Sequence, residues 1–105
     1  MSRKKELIMV SGMSVYPNEV EKIIKSNNKV EECAVVRMPD LITEEAVVAF
    51  IVIKNSRTLT IEEIIDYCSK NMAQYKVPQV VLFVDHLPKN VLGKVLKNEL
   101  KKLVK

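Results

Sequence analysis

Pro88-Lys89-Asn90-Val91-Leu92-Gly93-Lys94 joins a hydrophobic run, Val77 to Val84, to an apolar-periodic segment, Val95 to Val104. The first run has the length and β-branched content of a strand, and the second has the spacing of a helix. Gly93 permits backbone angles that a residue with a Cβ resists, and Pro88 restricts the entry, so the two shape a short loop. Lys94 is therefore expected at a tight loop-to-helix turn, with its ammonium reaching outward to a partner's phosphate. The spacing P-x-x-x-x-G-K is not a Walker A loop. Pro88 stands where that motif needs glycine, and Val95 replaces its magnesium-binding Ser or Thr. A solvated surface lysine is the other reading of Lys94, and the local residues leave both open.

A chain of 105 residues fits one domain, burying roughly 60–68% of the surface exposed when unfolded. Hydrophobic residues make up 48%, charged residues 29%, and there are two glycines, which describes a globular chain rather than a disordered one. The net charge of +4 comes from 17 Lys and Arg against 13 Asp and Glu. Its excess lies at the two ends, and so modest an excess on a mixed surface fits attraction to a small anion. Tyr16, Phe50, Tyr67, Tyr75 and Phe83 do not pair along strands as RNA-stacking aromatics do, so no nucleic-acid partner is expected. Cys33, Cys68 and the single His86 lack the spacing of ligand sets, which leaves no metal site and two free, buried thiols in a reducing compartment. Ala46 to Ile53, the longest apolar run, is too short to span a bilayer, and the charged start has no signal-peptide core. A cytoplasmic protein without a transmembrane segment is expected.

In chain order, residues 3–10 turn from charged to apolar and Met13 to Tyr16 returns after Ser11-Gly12, which predicts a β-hairpin. Pro17 suits the first turn of a helix whose apolar face is Val20, Ile23 and Ile24 and whose end is Asn27-Asn28. Val30 to Val36 reads as a strand closed by Met38-Pro39-Asp40. Ala46 to Lys54 reads as a strand buried on both faces. Thr60 and Glu63 form a capping box ahead of Ile61, Ile64, Ile65, Cys68 and Met72 at helical spacing. Tyr75-Lys76-Val77-Pro78 breaks that helix, and Val80 to Val84 makes a third strand. Val95, Leu96, Leu100 and Leu103 give the terminal helix an apolar face, and Lys101, Lys102 and Lys105 suit its negative end. The expected fold class is α+β: a compact small domain with an N-terminal β-hairpin, a short central sheet, about five short strands and three helices.

The P-x-x-x-x-G-K stretch, Tyr75-Lys76-Val77-Pro78 and Tyr16-Pro17-Asn18-Glu19-Val20-Glu21 occur in one order and at characteristic intervals. Together they resemble the small C-terminal domain of the adenylate-forming acyl-CoA synthetases, the AMP-binding superfamily, from about Arg3 to Leu103. The resemblance implies that residues 1–105 are a single C-terminal lid domain, hinged at about residue 5, without the large N-terminal AMP-binding domain. In the family, a carboxylic acid attacks the α-phosphorus of ATP to give an acyl-adenylate and pyrophosphate, and coenzyme A then displaces AMP to form a thioester. ATP and CoA are thus the implied substrates of the whole enzyme, with Mg2+ accompanying ATP and neither held tightly by this domain alone.

Residue by residue, the resemblance makes Lys94 the cation that bridges carboxylate and α-phosphate during adenylation. Lys5, counted from Arg3, falls at the hinge, where a solvated lysine is the plainer reading. Gly12 falls in the loop presented to the pantetheine tunnel, although a turn requirement alone would also explain it. Three departures stand out. Leu92 replaces a common Ser or Thr; Thr43-Glu44-Glu45 lacks the glycine often found before the glutamate, so the local turn is expected to differ; and Met9 occupies the place of the luciferases' second lysine, which favours thioester formation over oxidation.

The implied function is one domain of an ATP-dependent acid-thiol ligase, an acyl-CoA synthetase, inactive alone. Its implied partners are a carboxylic acid, which the sequence does not identify, and an AMP-binding domain of the same or a separate chain. The thiol acceptor is CoA or a carrier-protein phosphopantetheine. Two alternatives remain at this stage: a basic RNA-binding module, and a non-catalytic interaction module that docks on a synthetase large domain.

Overall fold

The computed structural model describes residues 7–55 and 57–104. Strands β1 (Ile8–Val10) and β2 (Met13–Val15) pair antiparallel, with Ile8 opposite Val15 and Val10 opposite Met13. Ser11 and Gly12 both have positive φ, 51° and 83°, as the tight type I′ hairpin turn demands. Helix α1 (Pro17–Lys25) starts at its proline and buries Val20 and Ile24.

Strands β3 (Val30–Asp40) and β4 (Glu44–Ile53) form a long antiparallel pair, from Val30 opposite Ile53 to Asp40 opposite Glu44. Strand β5 (Val80–Phe83) lies parallel to β4 on its other side, Val48 opposite Val80, and β1 joins that side at Val10 opposite Glu44. The described residues therefore build a mixed five-stranded sheet with β4 at its centre and β3 at an edge. Along β4, Val47, Ala49 and Ile51 enter one core with α1 and α2, while Ala46, Val48 and Phe50 enter a second with Leu87 and Leu100. That two-sided burial is what the unbroken apolar run implies.

Helix α2 (Ile61–Asn71) begins at the expected box: Glu63 N–H donates to Thr60 Oγ1 at 3.1 Å and Thr60 N–H donates to Glu63 Oε1 at 2.8 Å. It ends before a short 3₁₀ turn, Gln74–Lys76, and the extended Val77 ahead of Pro78. Both cysteines are free and buried. Burial pushes the Cys68 thiol up to about 11 and raises Cys33 further, first through desolvation and then through the Glu21 carboxylate.

Three expectations need correction. First, β3 does not close at Met38 but runs through Pro39. An edge strand needs no donor on its outer side, so proline is tolerated there. Second, helix α3 is only Lys97–Lys101, not Val95 to Val104. Val95 pairs with Lys89 in an isolated antiparallel bridge, and Leu96 N–H donates to Pro88 O at 2.8 Å. Those backbone groups close a hairpin, so the helix begins only after them, and Leu96 and Leu103 stay exposed. Third, Lys94 consequently stands on the returning arm of that hairpin rather than at the start of a helix.

The β3–β4 turn is organised by Asp40, whose Oδ2 accepts the Thr43 N–H at 2.9 Å, the Thr43 hydroxyl at 3.0 Å and the Ile42 N–H at 3.1 Å. These bonds, the Thr43 amide foremost, hold its carboxyl below the usual carboxylate range. In Thr43-Glu44-Glu45, which lacks the glycine common in the family, Glu44 takes φ 76° itself, in the region where a Cβ crowds the backbone. Glu44→Gly should therefore raise stability by about 1 kcal/mol, seen as a higher urea midpoint; a lower midpoint would show that Glu44 carries a compensating contact.

Candidate functional site

Asn90 builds the loop that carries Lys94. Its N–H donates to Lys94 O at 2.9 Å and its backbone O accepts Gly93 N–H at 2.9 Å. Its side-chain Oδ1 accepts the Leu92 N–H at 2.9 Å and the Lys94 N–H at 3.0 Å. Gly93 has φ 87°, the left-handed glycine that lets a hairpin loop close with a bulge. The sequence reading passed over Asn90. The available signal was asparagine two and three residues ahead of Leu92 and Gly93, where its side chain caps its own turn.

Lys94 is exposed, and among the described residues its ammonium makes no ion pair. Its neighbours on either side do: Lys89 Nζ lies 2.9 Å from Glu32 Oε1, and Lys97 Nζ lies 3.0 Å from Glu21 Oε2. The hairpin is thus tied down before and after Lys94, while that side chain is left to reach. It borders a cleft of about 790 Å³ with the β3 edge as its floor, the start of α1 as one wall and the hairpin with α3 as the other. Arg37, Lys97 and Lys101 also line this cleft, against Glu21 and Glu99, a balance that favours an anionic visitor.

Pro88 shapes the base of the hairpin through its carbonyl, which accepts from Leu96. Gly12 lies at the tip of the β1–β2 hairpin, and a Cβ there would meet nothing within 4 Å; its positive φ, not crowding, favours glycine. Lys94 and Gly12 are not brought together. The Gly12 turn is joined to the Glu44 end of β4 through Ser11 N–H donating to Thr43 O at 2.8 Å. The Lys94 hairpin instead lies over the outer edge of β3, with Lys89 held at Glu32 and Lys94 bordering the cleft along Val35, Val36 and Arg37, which Gly12 does not line. Lys5 lies outside the described residues. Met9 donates its N–H to Glu45 Oε1 at 2.8 Å. Among the described residues no group of His, Cys, Asp and Glu is arranged to hold a metal, and no helix is long and apolar enough to cross a membrane.

The chain is 46% identical over 101 residues to the long-chain-fatty-acid–CoA ligase of Yersinia pestis, a match covering 96% of this chain and 18% of that protein. Among solved structures, it superposes on the fatty acyl CoA synthetase of Mycobacterium tuberculosis with a TM-score of 0.88 at 34% identity, covering 95% of this chain and 20% of that one. ATP-bound MatB from Rhodopseudomonas palustris gives a TM-score of 0.91 at 34% identity, with coverages of 97% and 20%. The chain thus spans about a fifth of the length of the relatives it matches. Residues 19–94, which include all but the first two residues of α1, the whole sheet beyond the first hairpin and Lys94, match the family model for the AMP-binding enzyme C-terminal domain, and the chain belongs to that family.

Proposed function

We propose that this chain is the mobile C-terminal lid of an ATP-dependent acyl-CoA synthetase and that Lys94 is its adenylation lysine. The observation that carries the reading is a lysine without an ion pair among the described residues, on an Asn90-closed hairpin and flanked by two lysines that are both paired. In the first half-reaction a carboxylate approaches the α-phosphate of ATP, and two anions repel. An ammonium placed between them offsets that repulsion and stabilises the charge on the pentavalent phosphorus as pyrophosphate departs. Mg2+ accompanies ATP on the large domain. In the second half-reaction the lid turns about Lys5, Lys94 withdraws, and the Gly12 turn meets the pantetheine arm of CoA. The placement of Lys94 and Gly12 on two different hairpins supports this division of labour, because one rigid body offers each to the large domain only by rotating.

The large domain supplies the acyl pocket, so the acid is set there; the ligase name of the Yersinia relative makes a long-chain fatty acid the first substrate to try. The two buried free thiols fit a reducing, cytoplasmic setting. Alone, the chain is expected to be inactive. Substituting it for the matching region of a related long-chain-fatty-acid ligase should preserve both half-reactions; a folded chimera that makes no acyl-adenylate overturns the reading.

Gly12 is tested separately. Leucine at this position would strain the turn, whereas asparagine tolerates left-handed φ. Gly12→Asn in the complete enzyme should slow thioester formation from supplied acyl-adenylate by about tenfold or more and leave adenylate formation nearly intact. Equal losses in the two steps would reduce Gly12 to a turn residue.

A further inference from the structure

We propose that Glu21 is a positioning residue for Lys94, fixing the candidate adenylation hairpin to the sheet through one carboxylate that serves two elements at once. The inference rests on the reading of Lys94 above. Glu21 Oε2 accepts the Val35 N–H at 2.8 Å and lies 3.0 Å from Lys97 Nζ, with side chains only 18% and 27% exposed. Val35 is fully buried on the edge strand, and its N–H points away from β4, where the sheet offers no partner. An amide so placed costs free energy if left unpaired, and the carboxylate satisfies it.

The same oxygen then holds Lys97, the first residue of α3 and three positions after Lys94. With five residues, α3 is too short to be stable by itself, so its place depends on anchors. Leu100 supplies one by burial, and the Lys97–Glu21 pair supplies the one nearest Lys94. On the incoming arm, the Lys89–Glu32 pair is more exposed, at 39% and 35%, and so is the weaker tether. Glu21 also has an electrostatic duty. It neutralises Lys97 in the cleft that Lys94 borders, so that Lys97 does not draw an incoming phosphate away from Lys94. Without it, Lys97 would compete for the same anion while the hairpin lost its seat.

The test is made in the complete enzyme, this domain joined to its AMP-binding domain. Glu21→Gln keeps an oxygen for Val35 but removes the charge that holds Lys97. It should lower kcat for acyl-adenylate formation about tenfold, since small misplacements of a positioned group are costly, with KM for ATP little changed and thioester formation from supplied acyl-adenylate unaffected. Lys97→Met should match it, the double variant should be no worse than either single one, and Lys97→Arg should restore most of the rate. Equal losses in both half-reactions, accompanied by a lower Tm, would make Glu21 merely structural and overturn the proposal. So would unchanged adenylation in both single variants while Lys94→Ala abolishes it. Should Lys94→Ala itself be harmless, it is the functional reading of Lys94 that fails, a result distinct from either of these.

Discussion

Lys94→Ala in the complete enzyme should slow acyl-adenylate formation by about 10²–10³-fold, while thioester formation from supplied acyl-adenylate proceeds as before. The magnitude follows from the charge removed. At an effective dielectric near 20, a cation about 4 Å from an anion contributes about 4 kcal/mol, and in the proposed role the cation faces both carboxylate and phosphate at the moment their repulsion is greatest. Arginine should rescue little, because a planar fork does not replace a compact ammonium on a flexible stem. Folding is not expected to confuse the result. Lys94 is exposed, its hairpin bonds are made by its backbone, and exposed substitutions of this kind change stability by about 0.5 kcal/mol or less. Carboxylate-dependent exchange of pyrophosphate into ATP measures the first step, and release of AMP on adding CoA to supplied acyl-adenylate measures the second. Retention of both activities would remove Lys94 from the mechanism.

Phe50→Ala should cost about 3–5 kcal/mol, a large part of the 5–15 kcal/mol by which such domains are stable. Phe50 is fully buried at the centre of β4, which is bonded to β3 on one side and β5 on the other. Its ring shares a core with Leu87 and Leu100, the residues that bury the chain before and after the Lys94 hairpin. Truncation therefore leaves a cavity beneath that hairpin, and the neighbouring backbone is held by ladder bonds on both sides and cannot collapse into it. Urea denaturation of the 105-residue chain would show the loss; a cost under about 1 kcal/mol would mean that the second core repacks around the gap.

Much of this architecture was legible because its causes are local. The capping box at Thr60 and Glu63, the proline at the head of α1 and the unbroken apolar run of β4 each carry their reason within a few residues. The misjudged parts turn on distant or competing bonds. Val95 and Leu96 have helical spacing, yet pairing to Lys89 and Pro88 claims their backbone first. Pro39 looked like a stop because nothing nearby reveals that β3 is an edge. The parallel alignment of β5 with β4 follows a crossover through α2, which spacing alone does not specify. At the candidate site, the resemblance pointed to Lys94 and Gly12. It did not disclose Asn90, whose role is a side chain folded onto its own turn, or Glu21, whose partners Val35 and Lys97 are far along the chain.

The eleven-residue edge of β3 has a consequence for the solution behaviour of the protein. A free edge of that length is a template on which a strand from another molecule can pair, and proteins that carry one blunt it to avoid aggregation. Here Pro39 removes a donor from the strand, the Glu21 carboxylate occupies the outward amide of Val35, and the Lys94 hairpin with α3 overhangs the residues around it. The contacts that seat Lys94 thus also guard the sheet. A molecule in which the hairpin has lifted away exposes both an empty seat and an adhesive edge, so loosening at this one corner would be felt as self-association as well as lost chemistry.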